Sequence, residues 1–135
     1  MLDEIKFNEQ GLIPVIIANA KDNRPLTLCY MNREALEKTL ETGKVHVFRR
    51  SQGRLMMKGE KSGHIQEVKG VFPDCEGNSL LITVKQHVAG CHKGYMSCYF
   101  RRYDVKRGRF RVVEKRLFDP ERVYRKDEGG RMKDE

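Results

Sequence analysis

Two short apolar runs constrain this chain most: residues 12–18, LIPVIIA, and residues 26–31, LTLCYM, separated by Lys21-Asp22-Asn23-Arg24-Pro25. Short segments rich in β-branched side chains suit strands, and the polar stretch between them carries turn chemistry, so the pair predicts a hairpin within a sheet. A helical pattern comes next. Asn32 suits an N-cap, Glu34 and Glu37 favour a helix start, and Ala35, Leu36, Thr39 and Leu40 form one stripe that ends at Gly43. That stripe is expected to pack on the sheet. Further strands are expected at 45–50 and 54–58 around Gln52-Gly53, then at 64–72, 80–84, 99–103 and 110–113, with a turn at 106–109. Asp119-Pro120-Glu121 predicts a short terminal helix reaching about Tyr124. The expected fold is α+β: a compact, β-rich single domain over residues 1–125 with one main helix, and a frayed charged tail at 126–135.

A chain of 135 residues supports one hydrophobic core. No apolar run approaches the roughly 18 residues a membrane span needs, and Met1-Leu2-Asp3-Glu4 does not read as a signal peptide. Four cysteines are too few for a disulfide-stapled scaffold, so a cytoplasmic setting with reduced thiols is expected. The net charge of +8 implies anionic company. The last 35 residues hold 13 basic and 8 acidic side chains but only two Phe and two Tyr, which gives a nucleic-acid reader few stacking platforms.

The chemistry concentrates between Asp74 and Phe100. Cys75 lies in an acidic turn, whereas Cys91 and Cys98 flank a Gly-containing loop that opens with His92. Cys-x6-Cys is no standard zinc spacing, and buried thiols are often inert. The polar setting of these three nevertheless favours zinc over core. Three protein ligands with an open fourth position is the catalytic arrangement, in which zinc lowers the pKa of water. His92 could ligate or carry a proton. Asp74, Glu76 and Asn78 alternate, so their oxygens could converge on magnesium; the competing reading is a solvated acidic turn. Arg49, Arg50, Arg54 and Lys58 form a basic cluster whose charge alone favours a solvated face, the sharper alternative being a phosphate clamp. Residues 58–64, KGEKSGH, make a polar two-glycine connection without Walker spacing. Cys29 reads as core, His46 and His87 as ordinary residues, and His64 as ambiguous.

With GLIPVI, YMNREALEKTLETGKVH, KGEKSGHIQ, DCEGNSLL and CHKGYMSC in order along residues 7–102, the chain resembles the phosphoribosyl-AMP cyclohydrolases of histidine biosynthesis. The resemblance implies a homodimer with zinc held by Cys75, Cys91 and Cys98 drawn from both subunits. It also implies magnesium at Asp74, Glu76 and Asn78, and hydrolytic opening of the adenine ring between N1 and C6. It places His92, Glu60 and Lys58 in catalysis and Arg50, Ser51, Ser62 and Gly63 at the substrate. The chain departs from the usual family pattern at Arg49, Gln52, Met56, Lys93 and Asn78, the last replacing an aspartate. A homologue adapted to another nucleotide or heterocycle is therefore the alternative, and a basic nucleic-acid module with structural zinc ranks third.

Overall fold

A computed structural model of the chain describes residues 2–60, 63–87 and 94–117. The terminal helix expected at 119–124 and the tail at 126–135 lie outside the described residues. After a short 3-10 turn at Leu2–Glu4, the elements are β1 (Ile13–Asn19), β2 (Pro25–Met31), α1 (Arg33–Thr42), β3 (His46–Arg49) and β4 (Arg54–Met57). They continue with β5 (Gln66–Pro73), β6 (Leu80–Gln86), β7 (Arg101–Asp104) and β8 (Arg109–Val112).

The main sheet has the order β2-β1-β6-β5, with β1 and β6 parallel and both outer pairs antiparallel. Alternation along β1 sorts Ile13, Val15 and Ile17 to the buried face, where they meet Leu80, Ile82 and Val84 of β6. Ala35 and Leu36 of α1, Val45, and Val47 and Met56 of the β3–β4 hairpin complete this core. Leu40 departs from the expected stripe, because at 40% exposure it lies on the helix flank rather than in the core.

Both helix ends form as the residue types dictate. Asn32 accepts a hydrogen bond from the Ala35 N–H at 2.8 Å, and Gly43 closes the helix in the left-handed region at φ 73°. Thr39, fully buried, ties α1 to β3: its hydroxyl donates to the Ala35 carbonyl and accepts from the His46 N–H at 2.9 Å. His46 is buried with Nδ1 2.9 Å from the Lys44 carbonyl, which assigns it a structural role. β7 and β8 form a separate two-stranded sheet in which Tyr103 and Phe110 meet edge to face.

The opposite face of the main sheet is apolar as well. Leu28, Ile16, Leu81 and Phe72 stand directly across from one another on β2, β1, β6 and β5, at 47, 44, 37 and 52% exposure. One row of four large apolar side chains therefore crosses the whole sheet on the side away from the core.

Candidate active site

A cavity of about 370 Å³ opens between the core face of the sheet and the β3–β4 hairpin. Three of the four members of the basic cluster line it, Arg54 being the exception. Arg49, Arg50, Ser51 and Lys58 are in its wall, and Ile17, Val45 and Val47 give the same wall an apolar part. Arg49 and Arg50 stand where β3 enters its turn, whereas Lys58 follows β4 at the opposite end of the hairpin, so the cations border the cavity from both ends of the hairpin. The Arg50 guanidinium sits 4.0 Å from the centre of the Tyr30 ring, a cation–π contact that holds an otherwise exposed side chain over the cavity. Three cations thus share one cavity wall.

Cys29 also lines this cavity, half-buried and packed against the core. Burial pushes its thiol up to about 12, with Lys58 acting to lower it and Cys98 to raise it. The thiol is thus neutral and unreactive at ordinary pH, in keeping with a core residue, although its position at the cavity wall was not visible from the strand pattern.

The loop after Lys58 folds back on itself. Gly59 has φ 84°, and a Cβ there would stand 2.4 Å from the His64 carbonyl oxygen, so this glycine serves a close approach of backbone to backbone. Glu60 and Gly63 are exposed beside the cavity rather than in its wall. Ser62, Cys91, His92 and Lys93 lie outside the described residues.

In the acidic turn, Asp74 Oδ1 accepts from the Glu76 and Asn78 N–H groups at 3.0 and 2.9 Å, and Oδ2 accepts from the Ser79 hydroxyl at 2.8 Å. These hydrogen bonds, led by that from Asn78, hold its carboxyl below the usual carboxylate range. Asp74 is therefore largely committed to building the turn. Asn78 Nδ2 reaches Glu76 Oε1 at 3.4 Å, leaving Glu76, the Asn78 carbonyl and a remaining lone pair on Asp74 Oδ2 as oxygen donors for a cation. Gly77 at φ 75° lets the Glu4 carbonyl pack where a Cβ would be, and the Lys6 N–H donates to the Gly77 carbonyl at 2.8 Å.

Cys75 and Cys98 are both exposed. They are held at different ends of the sheet. The Cys98 N–H donates to the Leu26 carbonyl on β2, whereas Cys75 follows Pro73, which pairs with Leu80 at the far end of β5 and β6. Counting strand spacings and residue rises across this register puts the two backbones on the order of 15 Å apart. One zinc holds its sulfurs within about 5 Å of each other, so these two thiols do not share an ion within one chain. Among the described residues no three His, Cys, Asp or Glu side chains form a metal-sized group.

Reading strands and motifs did not single out Gln66, Gln86 or Tyr30. Gln66 was visible only as the last letter of KGEKSGHIQ, and its signal is that a polar residue occupies a core-facing position of β5, fully buried.

The sequence model of the phosphoribosyl-AMP cyclohydrolase family matches residues 27–100, a span that holds all of the cavity wall except Ile17, the acidic turn and all four cysteines. The chain is 48% identical to a phosphoribosyl-AMP cyclohydrolase of Pelotomaculum thermopropionicum, over 93% of this chain and 96% of that one. It is 43% identical to the enzyme of the same name from Methanothrix thermoacetophila, over 93% of this chain and 100% of that one. It is also 43% identical to a histidine biosynthesis bifunctional protein of Thermoanaerobacter pseudethanolicus, over 92% of this chain and 56% of that longer one. These likenesses define the class as a hydrolase acting on a cyclic amidine. The chain belongs to the phosphoribosyl-AMP cyclohydrolase family.

Proposed function

We propose that this enzyme hydrolyses the N1–C6 bond of the adenine ring of phosphoribosyl-AMP, as a step of histidine biosynthesis, with zinc held by Cys75, Cys91 and Cys98. The observation that carries the reading is the cavity wall, which sets the cations Arg49, Arg50 and Lys58 beside an apolar surface, as an anionic nucleotide with a planar base requires. When bound, zinc supplies a water whose pKa is lowered toward neutrality. The chain's own residues do the rest. Arg49 and Arg50 grip phosphate oxygens through charge-assisted hydrogen bonds, Ser51 adds a hydroxyl, and Ile17, Val45 and Val47 exclude water from the base. Lys58 lies with them in the wall and favours negative charge there. Glu60, Ser62 and Gly63 follow Lys58 in the sequence and are assigned to catalysis and substrate binding, and His92, next to Cys91, carries a proton between the nucleophile and the ring nitrogen. A cytoplasmic setting keeps the thiols reduced for the metal.

Two copies complete the site in this reading. The separation of Cys75 from Cys98 within one chain calls for ligands from both, and the apolar row from Leu28 to Phe72 offers a face for the second copy to cover. Magnesium is assigned to Glu76, Asn78 and the free lone pair of Asp74, and is bound weakly because Asn78 brings a neutral oxygen.

The test is turnover of phosphoribosyl-AMP by zinc-loaded protein across a magnesium series, alongside Asn78→Asp. Wild type is expected to turn over and to reach its maximum at elevated magnesium, and Asn78→Asp to need about tenfold less. No turnover by either protein, with zinc bound and the fold intact, rejects this substrate in favour of another nucleotide or heterocycle.

A further inference from the structure

Gln66 is fully buried and is one of the residues lining the cavity that holds Arg49, Arg50, Ser51 and Lys58. Its orientation follows from a chain of hydrogen bonds. The Met96 carbonyl can only accept, so the group 2.9 Å from it on Gln86 is the donor Nε2. Gln86 therefore turns Oε1 toward Gln66, at 2.6 Å, and only Gln66 Nε2 can donate there. What remains is Gln66 Oε1, buried and without a hydrogen-bond partner among the described residues. A fixed acceptor left unpaired in a cavity wall is costly to the empty protein and is repaid by a ligand that brings a donor.

We propose that Gln66 Oε1 accepts an N–H from the nitrogen attached to C6 of the bound purine, which makes Gln66 a specificity determinant for aminopurine nucleotides. This rests on the nucleotide reading above and names the group that recognises the base. The cavity's cations suit the phosphate, whereas Gln66 shares the wall with Ile17, Val45 and Val47, which suit the base. Hydrolysis between N1 and C6 adds oxygen to C6 and hydrogen to N1. The nitrogen outside the ring stays on C6 and keeps an N–H in substrate and product alike. A contact made equally before and after the reaction acts on binding, so its loss raises KM and leaves kcat nearly unchanged. The relay also joins the base pocket through Gln86 to the Met96 carbonyl, two residues before Cys98.

The probes are AMP and purine riboside 5′-monophosphate, which differ only in the amino group on C6. Wild type is expected to bind AMP more tightly by about tenfold or more, because a site built around an acceptor rejects the analogue that lacks the donor. Gln66→Met keeps the length and volume of the side chain without the acceptor, and its preference should fall to near unity. Equal binding of the two probes by wild type overturns the proposal, as does binding of neither, or a full preference retained in folded Gln66→Met. If Gln66→Met does not fold, Gln66→Asn keeps an amide but withdraws its oxygen by one methylene, and an undiminished preference there is equally contrary. Equal affinity in wild type would leave an ordered water as the group that satisfies Oε1. Failure of the wider reading looks different, because a wild type that discriminates the probes but does not turn over phosphoribosyl-AMP keeps the base contact and loses the reaction.

Discussion

Replacing Cys98 or Cys91 by Ser is expected to drop zinc from about one ion per chain to a small fraction of that. Turnover should fall by more than the roughly 10–100-fold that loss of a mere supporting hydrogen bond to a metal ligand costs. The hydroxyl of Ser is a poor zinc donor at neutral pH, whereas a thiolate is a strong one. Cys98 is exposed, so the substitution removes a donor atom without opening a hole in the core. Circular dichroism should therefore be unchanged while elemental analysis and activity collapse together. Full zinc content in both variants would remove the metal from these residues.

Charge placed on the apolar row should have an effect as large, from a position that touches no substrate. Leu81 stands between Ile16 and Phe72 on the face away from the core, at 37% exposure. In an isolated chain Leu81→Arg is a surface change worth less than about 0.5 kcal/mol. In the dimer it would bury unpaired charge across the two-fold, at a cost of several kcal/mol, and separate the copies. Because Cys75 and Cys98 cannot meet within one chain, separation should carry zinc and activity away with it. Light scattering at micromolar concentration, read together with zinc content, decides the matter. A monomeric Leu81→Arg that kept full zinc and turnover would contradict a site shared between copies.

What was legible in the sequence was local. Asn32 and Gly43 mark the helix because capping depends on residues within one turn, and β1–β2 and β3–β4 were readable because each hairpin carries its own turn chemistry. β5 begins at Gln66 rather than His64, since the fold-back at Gly59 uses the intervening residues. The parallel pairing of β1 with β6 joins segments more than sixty positions apart, and no local pattern announces it. The relay from Gln66 to Met96 depends on the register of β5 against β6 and on a contact with a segment ten residues further on, and no local pattern announces either. The candidate ligands were legible as residue types and matched motifs. That Cys75 and Cys98 lie at opposite ends of one sheet, and that Asp74 is spent on its own turn, required the register and the hydrogen bonds.

Water is expected to attack C6, and the ring to open between C6 and N1. Turnover of phosphoribosyl-AMP in water enriched in heavy oxygen, followed by mass spectrometry of the product, tests it most directly. The expected product is heavier than substrate by one water, with a single heavy oxygen located in the new carboxamide. A heavy oxygen on phosphate or ribose, release of AMP, or no product from zinc-loaded folded protein would contradict it.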